Sequence, residues 1–200
     1  MMAINNGYCT LAQLKASLRI TDSVDDELLE LAIEAASREI DTACERFFYQ
    51  LDGQTRYFTA TDPYVVETDD IRSITSVKTS EGGDGVFDTT WQTKDYQEEP
   101  LNGYVSGIAT PTTRLRAIDD YLWPTDSDGE ALVQVVGDFG WESVPTAITQ
   151  ATVILSARIY KRNDSPLGVA GIGDMGVLRV SAVDPDVRVL IQPFMKPRMG

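Results

Sequence analysis

The segment that most restricts the fold of this 200-residue chain runs from Phe139 to Gly168. Phe139-Gly-Trp-Glu-Ser-Val-Pro145 reads as a tight aromatic turn. Pro145 suits the first turn of a helix, where a missing N–H costs nothing. Ala147, Ile148, Ala151, Ile154, Leu155 and Ile159 then recur at helical spacing. Val153, Ala157 and Tyr160 cover much of the remaining surface, leaving only Thr149, Thr152 and Ser156 as a small polar stripe. A helix apolar nearly all round is expected to be buried nearly all round. It is too short and interrupted to span a membrane. Arg158, Lys161 and Arg162 suit the negative end of its dipole, and Asn163-Asp-Ser-Pro166 stops it. The predicted helix is 145–162.

The N-terminal part predicts two more helices. Thr10-Leu-Ala-Gln13 is a capping box opening a short helix at 10–18. A long helix is expected at 22–46, opened by Thr21-Asp-Ser23. Leu29, Ile33, Ala36, Ile40, Ala43, Cys44 and Phe47 form its apolar stripe, which Leu28, Leu31, Ala32 and Ala35 are expected to widen. Its opposite face carries Glu27, Glu30, Glu34, Asp41 and Glu45, with Arg38 an i,i+4 partner for Glu34. That face is read as solvated, or as turned toward a lumen or a neighbouring subunit.

Between the long helix and the aromatic turn the pattern switches to alternation and turn residues, giving a β insertion at about 50–137. Candidate strands are Arg56–Ala60, Ile71–Lys78, Thr89–Lys94, Thr113–Ile118 and Ala131–Val136. Glu81-Gly-Gly-Asp-Gly85 is a flexible turn, and 100–112 reads as an exposed loop. The predicted fold class is α+β, mainly α: a helical bundle with a small inserted antiparallel sheet and an extended C-terminal segment ending in a short helix. The core is assigned to 1–165 and a docking arm to 166–200. In that arm Leu167, Ile172, Met175, Val177 and Leu178 are too many apolar residues for a solvent linker. Asp184-Pro-Asp186 caps a final helix bearing Arg188, Leu190, Ile191 and Phe194.

The chemistry-bearing residues argue against catalysis. The chain holds no histidine, so Ser-His, Cys-His and histidine-ligated metal chemistry are excluded in cis. Its cysteines, Cys9 and Cys44, cannot build a zinc site. The glycines at 168–176 lack a P-loop lysine. Asp126-Ser-Asp128-Gly129-Glu130 lacks full calcium-loop spacing and reads as a turn. With 31 acidic residues, pairs such as Asp69-Asp70 or Asp119-Asp120 arise by chance. No catalytic, cofactor or metal residue is assigned. The net charge of −14 makes tight DNA binding unfavourable. The acidity lies in residues 1–150, with 10 basic against 27 acidic residues; residues 151–200 hold 7 against 4.

The order of short motifs resembles one family. Gly140-Trp-x-x-Val-Pro-x-Ala-Ile-x-Gln-Ala151, running into Leu155-x-Ala-Arg-x-Tyr-Lys-Arg-x-Asp-Ser-Pro-x-Gly168, is similar to the head–tail connector (adaptor, or head-completion) proteins of long-tailed bacteriophages. Tyr8-Cys-Thr-Leu-Ala-Gln-Leu-Lys15, Asp25-Asp-Glu-Leu-Leu29, Ile33-Glu-Ala-Ala-Ser37, Ile40-Asp41, Cys44-Glu-Arg-Phe-Phe-Tyr49 and Asp95-Tyr96 follow in the same order. The stretch at roughly 80–135 matches poorly. The resemblance implies a structural virion protein without enzymatic activity. It would be assembled in the host bacterial cytoplasm and placed in the neck as a ring, most often of twelve copies, under the portal protein. Such a ring extends the DNA channel, lets duplex pass without holding it, and meets a downstream stopper or tail-completion protein. No cofactor and no membrane is implied. The portal- or subunit-facing candidates are Leu167, Ile172, Met175, Val177, Leu178, Arg188, Leu190, Ile191 and Phe194. The alternatives are a stopper or tail-completion protein of the same neck, or an unrelated soluble binding module.

Overall fold

The computed structural model describes residues 4–126, 128–163 and 185–196. These fall into two compact units. The first takes its described residues from 1–47 and 144–200, and the second is 48–143.

The first unit is helical. Helix α1 (Leu11–Leu18) opens on the predicted capping box: Gln13 N–H donates to Thr10 Oγ1 at 3.1 Å and Thr10 N–H to Gln13 Oε1 at 2.8 Å. Helix α2 spans Asp26–Cys44. It begins later than Thr21-Asp-Ser23 suggests, because residues 21–25 form bends and a turn. Helix α3 is Thr146–Asn163. Helix α4 (Pro185–Ile191) and a 3₁₀ turn at Gln192–Phe194 complete its described elements. Leu29, Ile33, Ala36, Ile40 and Cys44 form the buried stripe of α2. Cys9, Leu14, Leu29 and Ile33 make one core cluster, against which Val153, Ala157 and Tyr160 of α3 pack. A second face of α3 buries Ile148, Ala151, Thr152, Leu155 and Ser156. The small polar stripe is therefore inward: Thr152 Oγ1 donates to Ile148 O at 2.8 Å, satisfying its hydroxyl inside the helix. Helix α3 is not buried all round, because Ile154 and Ile159 keep part of their surface in solvent.

The second unit is a β-sheet built from β1 (Leu51–Phe58), β2 (Val65–Thr79), β3 (Thr89–Trp91), β4 (Tyr96–Glu99), β7 (Thr112–Ala117) and β8 (Val133–Phe139). The hairpin strands β5 (Tyr104–Val105) and β6 (Ile108–Ala109) lie apart from it. The order is β1-β8-β2-β7-β4, with β3 on β2, and all pairs are antiparallel. The first and last strands pair, Leu51 opposite Phe139, so the chain enters and leaves this unit at one place. That is what an insertion between two helices requires.

The expectation of a mainly helical bundle with a small sheet is corrected here. Helix accounts for 32% and strand for 28% of the described residues, and the sheet has six strands. The central strand β2 is 15 residues long, whereas alternation marks only Ile71–Lys78. Thr68-Asp-Asp70, outside the predicted strand, continues it through an irregularity against β7. Asp70 is tolerated there because the buried Trp141 indole N–H donates to its Oδ2 at 2.9 Å. Gly140, at φ +93°, closes the aromatic turn by donating its N–H to Asp70 O at 2.8 Å. Strand β4 was not expected, and 100–112 is a hairpin rather than a plain loop. Ser106 and Gly107 both have positive φ, as a two-residue type I′ turn demands.

Gly137 shows how closely β8 and β2 approach. A Cβ there would stand 2.1 Å from Ser73 O. Gly137→Ala is expected to destabilise this unit by about 1–3 kcal/mol, the usual cost of forcing atoms into a packed site. All three tryptophans (Trp91, Trp123 and Trp141) lie in the β unit. A lower urea midpoint in tryptophan emission, at unchanged slope, is the expected reading.

Candidate functional site

Helix α2 has a second apolar stripe. Leu28, Leu31 and Ala35, with Val24 in the turn before the helix, share one face. Leu28 and Leu31 are 44% and 45% exposed and Val24 is 85% exposed. These residues do not widen the buried stripe. The core face of α2 is already filled by Leu29, Ala32, Ile33 and Ala36, and a helix rotates by about 100° per residue. The outer stripe runs toward a cleft of about 270 Å³ lined by Glu39, Ile40, Thr42 and Ala43 of α2, Leu155 of α3, and Val187 and Ile191 of α4.

The predicted acidic face is not a single open surface. Glu27 and Glu45 are exposed, but Glu30 is buried. Glu34 accepts the Asn5 backbone N–H, and Asp41 accepts the Tyr8 hydroxyl. Arg38 pairs with Asp41 at 3.2 Å, donates to Asn6 O at 2.8 Å, and stacks 5.5 Å from the Tyr8 ring centre. Residues 5–8 thus lie along this side of α2, and Tyr8 N–H reaches Ser37 Oγ at 3.1 Å. Burial raises the Asp41 carboxyl above its ordinary value, against the Tyr8 hydrogen bond and the Arg38 charge, which lower it.

Among the C-terminal candidates, Arg188 is exposed and Leu190 half-buried, while Ile191 and Phe194 are buried within the helical unit together with Val187. Lys196 N–H donates to Cys44 O at 3.0 Å, which ties this end to the tip of α2. The outward residues of α4 and its 3₁₀ turn include Val189, at 70% exposed, and Met195. Leu167, Ile172, Met175, Val177 and Leu178 lie outside the described residues.

The β unit carries its own polar and aromatic detail. Trp91 and Trp123 stack at 3.8 Å, flanked by Tyr121 and Tyr96. Arg72 faces Asp52, Asp138 at 4.0 Å and Glu142 at 3.8 Å. Glu99 is held by Arg116 at 2.6 Å and Arg114 at 3.3 Å, and the Arg116 hydrogen bond pulls its carboxyl below the ordinary range. Asp126 Oδ2 accepts the Asp128 N–H at 2.7 Å, a local turn. Among the described residues no group of three or more His, Cys, Asp or Glu is placed to hold a metal ion, and no helix is long and apolar enough to cross a membrane.

Residues 8–80 match the family described as phage gp6-like head-tail connector protein, and over that stretch the resemblance read from the sequence is borne out. No curated protein matches the chain. Solved structures share its fold over its whole length. One is from the "Neck of empty GTA particle computed with C6 symmetry", with TM-score 0.61, 18% identity and 95% of that chain covered. A second is from the "Virion of native gene transfer agent (GTA) particle", with TM-score 0.55, 17% identity and 95% coverage. A third is from the "Neck of native GTA particle computed with C12 symmetry", with TM-score 0.54, 19% identity and 94% coverage.

Two solution measurements check this geometry. Burial pushes the Cys9 thiol up to about 11, with a hydrogen bond to Ser156 opposing, and Cys44 is also buried. Both thiols should resist a disulfide reagent at neutral pH and react only when the helical unit unfolds, since the thiolate is the nucleophile. Glu99 has a depressed folded-state pKa, so its contribution is present above about 4.3 and is lost as pH falls through the folded value. Its arginine partners are nearly half exposed, so the contribution is about 1 kcal/mol or less. Glu99→Gln should lower the stability read by tryptophan emission at neutral pH and flatten its loss on acidification below about pH 4.

Proposed function

We propose that this chain is a head–tail adaptor: a structural protein that forms a ring under the portal of a phage-like particle, extends the DNA channel and joins head to tail components. The observation that carries this reading is the connector-family match at residues 8–80, and the full-length likeness to neck proteins supports it. The C6 and C12 symmetries belong to those particles; here they make a ring of six-fold or twelve-fold type the expected assembly. The mechanism is interface burial. A heterologous contact repeated around an axis closes when the rotation per copy allows it, and each contact needs on the order of 1,000 Å² or more.

The charge of −14 serves a channel component. An acidic wall repels phosphates, so duplex passes without counterion-releasing contacts that would hold it. Of the predicted acidic face, Glu27 and Glu45 are the solvent-exposed members. The portal-facing surface is assigned to outward-facing Arg188 and half-buried Leu190 on α4, beside Val189, together with Leu167, Ile172, Met175, Val177 and Leu178 of the preceding arm. Ile191 and Phe194 support it from within by anchoring α4 to its own unit.

The test uses the full chain and portal assemblies from the same genome. The chain should co-sediment with portal, and the double variant Arg188→Glu, Val189→Asp should stay in solution with unchanged melting. Failure of the unaltered chain to bind portal, or tight binding to duplex DNA at ordinary salt, contradicts the reading.

A further inference from the structure

Two ridges of the helical unit, each at least partly exposed, lie on helices of opposite charge. The first is the outer stripe of α2, centred on Leu31 and flanked by Val24, Leu28 and Ala35. The second is on α3, where Ala147, Gln150, Ile154 and Lys161 fall on one face at spacings of three, four and seven. Gln150 and Lys161 on that face are exposed, and Ala147 and Ile154 are half-buried. Helix α2 carries six carboxylates against one arginine; α3 carries three cations and no carboxylate.

We infer that the α2 ridge of one copy packs against the α3 ridge of the next, and that this is the repeating contact of the ring; the inference rests on the ring reading above. The described residues leave Leu28 and Leu31 nearly half exposed, while the core side of α2 is filled. Pairing α2 with α2 of a second copy would oppose two strongly acidic helices. It would also be isologous, stopping at two copies. Pairing α2 with α3 joins the acidic helix to the basic one and leaves one free ridge of each kind at the two ends of the growing chain, so growth continues until the ring closes. Leu31 and Ile154 each sit near the middle of their ridge, so they meet whichever direction the helices run.

Self-association of the full chain, followed by sedimentation across a concentration series, tests this. Leu31→Asp should weaken it by about tenfold or more, since a lost leucine contact and a desolvated charge exceed one decade. Raised salt should weaken it as well. The double variant Leu31→Cys, Ile154→Cys should form a ladder of disulfide-linked multimers on oxidation, with native Cys9 and Cys44 inert in the core. Each single-cysteine variant alone should form no ladder, while a mixture of the two should cross-link in pairs. Cross-linking of Leu31→Cys to itself would overturn the heterologous pairing. Association that survives Leu31→Asp without any ladder would overturn the assigned surface and leave the ring intact. An unaltered chain that never associates, alone or on portal, would overturn the ring reading and this inference with it.

Discussion

Helix α2 has more apolar surface than the described residues cover. One stripe, from Leu29 to Cys44, is sealed against α1, α3 and the residues before them, and its neighbours fill that side completely. The other, through Leu28 and Leu31, faces outward. Exposed leucines at helical spacing are costly to leave in water, at about 25 cal/mol per Å² of apolar area. They are also a reservoir of association energy. Cover of that second stripe by a neighbouring copy is the basis of the proposed assembly.

The β unit answers a different need. Pairing of β1 with β8 brings its entry and exit together, so a sheet of six strands interrupts the helical chain at a single point. Asp70 and Trp141 secure that point from inside. A buried carboxylate that accepts the indole N–H and a backbone carbonyl that accepts the Gly140 N–H together close the aromatic turn before α3 begins.

Much of the helical unit was legible in the sequence. The Thr10 capping box, the core stripe of α2 and Pro145 before α3 act through local hydrogen bonds and periodicity, which a sequence displays directly. The size of the sheet was not legible. Strand β2 passes through Thr68-Asp-Asp70, which lacks apolar alternation and is accommodated because Trp141, far along the chain, donates to Asp70. Strand β4, Tyr96-Gln-Glu-Glu99, shows little apolar alternation because its stability comes from β7 and the Arg114 and Arg116 side chains. The outer stripe of α2 was visible as apolar residues, but its side was not, because Leu28 and Leu29 are both apolar and only packing decides which faces inward. The acidic face was misjudged in extent for the same reason: residues 5–8 occupy Glu34 and Asp41 through contacts some thirty residues apart.

The most direct test of the central claim is native mass measurement of the full 22.0 kDa chain, concentrated and then mixed with portal assemblies. The account predicts a discrete closed multiple of that mass, six-fold or twelve-fold, with the Leu31→Asp chain failing to reach it. A single species at 22.0 kDa under all conditions, with no mass added to portal, would contradict it.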